Sequence, residues 1–170
     1  MGSLSRLEAE SIGEPGRRTF RLSLDAGNAH CTVWLEKEQL YQLGIHLRDA
    51  VESLTEEERG RESQHRDGSW TGEGEEVDFK VGEMGLSHDK QTNTFYISAF
   101  ERENPEAEAG SESPLSISFW ITTVQAKTLA EDALRICAAG RPACFLCGQP
   151  IDPDGHLCPR SNGHTVLETG

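Results

Sequence analysis

Between Arg18 and Leu24 the apolar residues Phe20, Leu22 and Leu24 fall at every second position, and Cys31, Val33 and Leu35 do the same after Asp25-Ala26-Gly27-Asn28. A period of two puts each set on one face of a strand, and the turn residues between them predict a β-hairpin. From Leu40 the rhythm changes. Leu40, Leu43, Leu47, Val51 and Leu54 recur at intervals of three and four, the spacing of a helix that buries one stripe. Further along, Thr94 to Phe100 and Leu115 to Ile121 read as strands, with Val77 to Leu86 as an additional one. A second helix carries Ala126, Leu129, Ala133 and Ile136. Thr122 and Gln125 have the spacing of a capping box at its start, and Gly140-Arg141-Pro142 ends it, since glycine permits a left-handed cap and proline forbids continuation.

The unit strand, strand, helix therefore occurs twice. At an offset of 86, Trp34 meets Trp120, Gln39 meets Gln125 and Leu43 meets Leu129; upstream, Thr19-Phe20-Arg21-Leu22-Ser23 falls on Thr94-Phe95-Tyr96-Ile97-Ser98 at an offset of 75. The difference of 11 residues is about the length of the acidic stretch after Phe100, as if one loop had been lengthened. The expected fold is α+β: two pseudo-repeated β-hairpin-plus-helix units with an antiparallel sheet, followed by a small C-terminal knuckle. In residue terms this is a duplicated domain over 1–140, with halves at about 17–55 and 77–140, an acidic linker over 56–76 and an acidic loop over 101–113, and then an appendage over 141–165. The Trp34 and Trp120 pair is expected to pack in the core near the strand-to-helix junctions rather than to form a platform for bases.

Charge alters this picture locally. The 170 residues carry 16 Lys and Arg against 29 Asp and Glu, a formal net charge of −13. Most of the excess lies between Glu52 and Asp78 and between Glu101 and Glu112, stretches rich in Gly, Ser and Glu that read as solvated linkers. The remainder is nearly neutral. A nucleic-acid binder needs clustered cations to displace phosphate counterions, so the composition argues against DNA; only Arg135, Arg141 and Arg160, around the last helix and the C-terminal motif, suggest a local basic patch. No run of apolar residues is long enough to cross a bilayer, and the first residues lack the apolar stretch of a signal peptide. A cytoplasmic protein without membrane association is expected.

In such a compartment five cysteines point to metal ligands or buried thiols rather than disulfides. Cys31 and Cys137 fall on apolar faces and are expected to be small buried side chains. The other three form a pattern: Cys144-x2-Cys147, eight residues, then His156-x-Cys158. A C-x2-C turn lets two thiolates face one ion while turn N–H groups donate to the sulfurs, and Gly148 tolerates the left-handed conformation needed next. In an extended segment His156 and Cys158 point to the same side. Cys144, Cys147, His156 and Cys158 would thus surround one structural Zn2+, with His164, five residues past Cys158, as the alternative to His156. Three thiolates and an imidazole close the coordination sphere and make the metal a poor Lewis acid, so the expected role is a clasp on a segment too short to build its own core. A redox dithiol would open a helix, whereas Gly148-Gln149-Pro150 follows here at once.

Ile12-Gly13-Glu14-Pro15-Gly16-Arg17-Arg18-Thr19-Phe20, Leu35-Glu36-Lys37-Glu38-Gln39, and Gly140-Arg141-Pro142-Ala143-Cys144-Phe145-Leu146-Cys147-Gly148 through Gly155-His156-Leu157-Cys158-Pro159-Arg160-Ser161-Asn162-Gly163 together resemble the bacterial, mainly actinobacterial family called domain of unknown function 3090. The resemblance spans nearly the whole chain. It implies a cytoplasmic, repeat-containing protein with a zinc-ribbon-like C-terminus ending in G-H-x-C-P-R-x-N-G, which favours His156 over His164 as ligand. It brings no established activity.

No nucleophile elbow, phosphate-cradling loop or dinucleotide fingerprint occurs, and His30, His46, His65 and His88 stand without a partner that the sequence can defend. The expected function is a non-enzymatic adaptor or regulatory module that holds a protein partner, since the knuckle offers Phe145, Leu146 and Ile151 in a segment too small to bury them all. RNA contact through the knuckle and its arginines, and an enzyme with a cleft between the halves, are the alternatives.

Overall fold

A computed structural model describes residues 4–14, 17–64, 76–103, 114–139, 144–148, 151 and 156–161. Six strands form one sheet in the order of the chain: β1 (Arg6–Ile12), β2 (Thr19–Ala26), β3 (Ala29–Leu35), β4 (Glu76–Asp89), β5 (Thr94–Glu101) and β6 (Ser116–Thr122). Helix α1 (Lys37–Glu52) follows β3, a short helix α2 (Glu56–Gly60) follows α1, and α3 (Thr123–Ala138) follows β6. Three strands and a long helix thus occur twice in succession.

Within each half the strands pair antiparallel, but β3 and β4 pair parallel, with Val33 opposite Phe79. The sheet is therefore mixed rather than antiparallel as expected. The register, His30 opposite Glu76 and Trp34 opposite Lys80, starts β4 at the end at which β3 began, so the two run in the same direction. Two elements were not anticipated. Strand β1 pairs along β2 from Arg6 opposite Asp25 to Ile12 opposite Thr19. The acidic stretch expected to be a linker opens with α2, capped by Thr55, whose hydroxyl accepts from the N–H of Glu58 while Glu58 Oε2 accepts from Thr55 N–H. Asn93, fully buried and with φ +53°, fastens this helix by donating to the carbonyls of Glu58 and Arg61 at 2.8 and 2.9 Å. Most of the acidic loop, 104–113, lies outside the described residues.

The core lies between α1 and α3 and one sheet face, where Leu22, Leu24, Val33, Phe95, Ile97, Phe119 and Ile121 meet Leu40, Leu47, Ala126 and Ala133. The two helices cross at Gly44, where an added Cβ would lie 3.1 to 3.2 Å from Leu134 and Ala133. Gln39 and Gln125 occupy equivalent positions, each side-chain oxygen accepting the N–H of the residue before its helix, Glu36 and Thr122. Trp34 and Trp120 are also equivalent, two residues before those caps, but neither joins the core. Strand alternation sends both to the opposite sheet face, half exposed, where Trp34 donates to Asp78 at 2.8 Å under the Arg21 guanidinium and Trp120 packs against Tyr96. Their indole N–H groups are better served there than among aliphatic side chains.

No helix among the described residues is long and apolar enough to cross a membrane.

Candidate metal centre

After α3 the described chain resumes at Cys144, and the turn Phe145-Leu146-Cys147 brings two cysteines to one side. Gly148 closes it at φ +74°, donating its N–H to the Cys144 carbonyl at 2.7 Å. This is the left-handed position that its place after the second cysteine predicted. Residues 156–161 form the other wall, held to the turn by Arg160, which donates to the Leu146 carbonyl at 2.9 Å. Ser161 turns that wall back on itself through its N–H and hydroxyl, both bonded to the Cys158 carbonyl.

Between these walls the ligand atoms of Cys144, Cys147, His156 and Cys158 all lie within 4.8 Å of one another. The Sγ atoms of Cys144 and Cys158 are 3.8 Å apart, and Cys147 Sγ lies 3.7 Å from His156 Nε2. A sulfur–sulfur contact of that length is far beyond a disulfide bond, and none of the five cysteines forms a disulfide. It matches the edge of about 3.8 Å that a tetrahedron with metal–sulfur bonds of about 2.3 Å requires. The Cys144 thiol is drawn down to about 6, first by the hydrogen bond from His156 and then by the backbone N–H groups of Cys147 and Leu146. Those donors stabilise a thiolate, the form that ligates. The cluster could hold a metal ion. His164 lies outside the described residues.

Cys144 and Cys158 are buried, but the apolar residues around them are not: Phe145 is 91% exposed and Leu157 93%. Leu157 was not singled out in the sequence, although the signal was present. It stands between two residues whose side chains both face the cluster, so alternation sends it outward.

The other cysteines behave as expected for structural thiols. Cys31 and Cys137 are buried in the core, and burial, aided by the nearby Asp78 carboxylate, pushes the Cys31 thiol up to about 12. Among the histidines, His30 is exposed and bonded to Asp25 at 2.7 Å, and His46 is exposed on α1. His88 is half buried on β4, stacked on Phe95, with Nε2 3.3 Å from Asn93 Oδ1. His65 lies outside the described residues, as does Arg141. Of the other two arginines of the supposed basic patch, Arg135 pairs with Asp132 at 2.7 Å and Arg160 is engaged with Leu146. No curated protein and no solved structure matches the chain. Residues 1–158, which include all four candidate ligands, match the family described as a protein of unknown function, DUF3090, and the chain belongs to that family.

Proposed function

We propose that this protein is a zinc-clasped adaptor of the bacterial cytoplasm, in which a duplicated α+β body carries a zinc-ribbon-like knuckle that docks a protein partner. The carrying observation is the pair Phe145 and Leu157, two large apolar side chains almost wholly exposed on a segment whose own buried anchors are thiols. Exposed apolar anchors on a constrained turn are the material of a contact surface, because ligation removes conformational freedom that binding would otherwise have to remove. A Cys3His set selects Zn2+ for a structural role, since it is closed and soft. Cysteines without a disulfide agree with a reducing compartment. The matching order of elements in the two halves, together with the equivalent Gln39 and Gln125, supports an origin by duplication.

The test is elemental analysis of tag-free protein combined with co-purification from its own cytoplasm. About one zinc per chain is expected, lost or weakened in Cys158→Ser and His156→Ala and kept in His164→Ala. A Phe145→Ser/Leu157→Ser variant that keeps its zinc should lose the partner that wild-type protein retains; equal retention would contradict docking by the knuckle. RNA contact is the weaker reading, because Arg135 and Arg160 are already committed to Asp132 and Leu146. It would appear as binding that falls steeply with salt.

A further inference from the structure

A second feature lies on the body, where β3 ends and α1 begins. There Arg18, Lys80 and Arg102 line one pocket of about 210 Å3 together with Trp34, Glu36 and Gln39. Among the described residues none of these three cations has a carboxylate within 4.0 Å, a trait shared with other cations of the chain, and what sets them apart is that they line one pocket. They are brought together by the backbone. The N–H of Arg102 donates to the Lys80 carbonyl at 2.8 Å, and Gly82 allows that approach, since a Cβ there would lie 2.8 Å from the Arg102 Cα.

Arg18 spans the third side by donating Nη1 to the Ala139 carbonyl at the end of α3. That contact with a helix C-terminus accounts for one nitrogen only; its Nε is buried without a hydrogen-bond partner. A buried donor left unpaired on a cation is costly unless something else satisfies it. Glu36 is the one carboxylate of the lining, against three cations, in a chain whose net charge is −13. The first turn of α1 also faces the pocket, adding the positive end of a helix dipole. Cations gathered against the overall charge of a protein, at the carboxyl end of a strand in a parallel pair, have the character of an anion site.

We infer that this pocket binds a compact phosphate-class anion of two or more negative charges, with Arg18, Lys80 and Arg102 as its ligands. The volume sets the class: it is below the roughly 300 Å3 at which pockets for drug-sized ligands begin, and fits inorganic phosphate or pyrophosphate better than a nucleotide. The site is separate from the knuckle and does not depend on the adaptor reading.

Titration calorimetry of the full-length, zinc-loaded protein with pyrophosphate and with inorganic phosphate tests it. Saturable binding is expected, weakened about tenfold or more by Lys80→Gln and by Arg102→Gln, as for loss of a charge-assisted bond, and tightened by Glu36→Gln. The opposite sign for Glu36→Gln separates an electrostatic site from general destabilisation, and thermal midpoints show whether each variant folds. Arg135→Gln, on the outer side of α3, should change nothing. Non-saturable binding, equal sensitivity to Arg135→Gln, or binding of an oligonucleotide but of neither small anion would overturn the inference.

Discussion

The body and the knuckle are held together by different physics. In the body, apolar strand faces and two helix stripes bury one another, and the residues that make the fold also fill its interior. In the knuckle the buried side chains are Cys144 and Cys158, while Phe145 and Leu157 face solvent. The largest apolar side chains among its described residues are exposed, so apolar burial contributes little there, and the feature that gathers its two walls is the Cys144, Cys147, His156 and Cys158 cluster, which could hold a metal ion. The contrast is the basis of the docking proposal, since apolar residues left on a surface are available for contact.

The largest expected effect separates the two regions outright. Chelation of the metal, or Cys158→Ser, should unfold the knuckle while leaving the body intact, because structural zinc contributes about 10–16 kcal/mol to small domains that lack a core. Hydrogen exchange would show protection lost over 144–161 only. Among the described residues no knuckle residue belongs to the body's core, so a chain ending at Gly140 should also retain its body fold. Collapse of both regions together would break the comparison.

Next is the converse. Phe95→Ala, at a fully buried position in the middle of the sheet, should cost the body about 3–5 kcal/mol in denaturant unfolding and leave zinc content unchanged. Asn93→Gly keeps the left-handed backbone but strands the Arg61 carbonyl and leaves that of Glu58 with the Arg61 N–H at 3.3 Å. A loss of about 1–3 kcal/mol is expected, with exchange at α2 rising before exchange at α1.

The smallest effect concerns β1. Arg21 and then Ser23 hold the Glu10 carboxyl below its ordinary value of 4.5. A depressed carboxylate contributes stability that is present above its unfolded-state value and lost as pH falls through the folded-state value. Glu10→Gln should therefore flatten the acid limb of the stability profile, while lowering stability at neutral pH by less than about 1 kcal/mol, because the pair with Arg21 is one-third exposed.

What could be read in the sequence follows the same division. Elements with several apolar residues at a regular period were legible: the β2–β3 hairpin from Phe20, Leu22 and Leu24, both long helices, and the Thr122–Gln125 capping box. The four ligands were legible because metal chemistry fixes both residue type and spacing. Strand β1 was not, since it offers only Leu7, Ala9 and Ile12 and is recognisable chiefly by what it pairs with. Helix α2 hid in a run of acids because its anchor, Asn93, lies 35 residues beyond Glu58 and 32 beyond Arg61. The parallel joint between β3 and β4 is a property of the connection, which leaves no period in either strand. Trp34 and Trp120 were placed on the wrong face because an aromatic residue is a strong core signal, although their even spacing from outward-facing neighbours already opposed it.

Metal content per chain in tag-free protein tests the central claim most directly, because the side chains buried in the knuckle, Cys144 and Cys158, are themselves candidate ligands. The account predicts about one zinc per chain, weakened by His156→Ala and Cys158→Ser but not by His164→Ala. Metal-free protein in which Cys144 and Cys147 titrate as a reversible dithiol would contradict it and put thiol redox chemistry in place of the clasp.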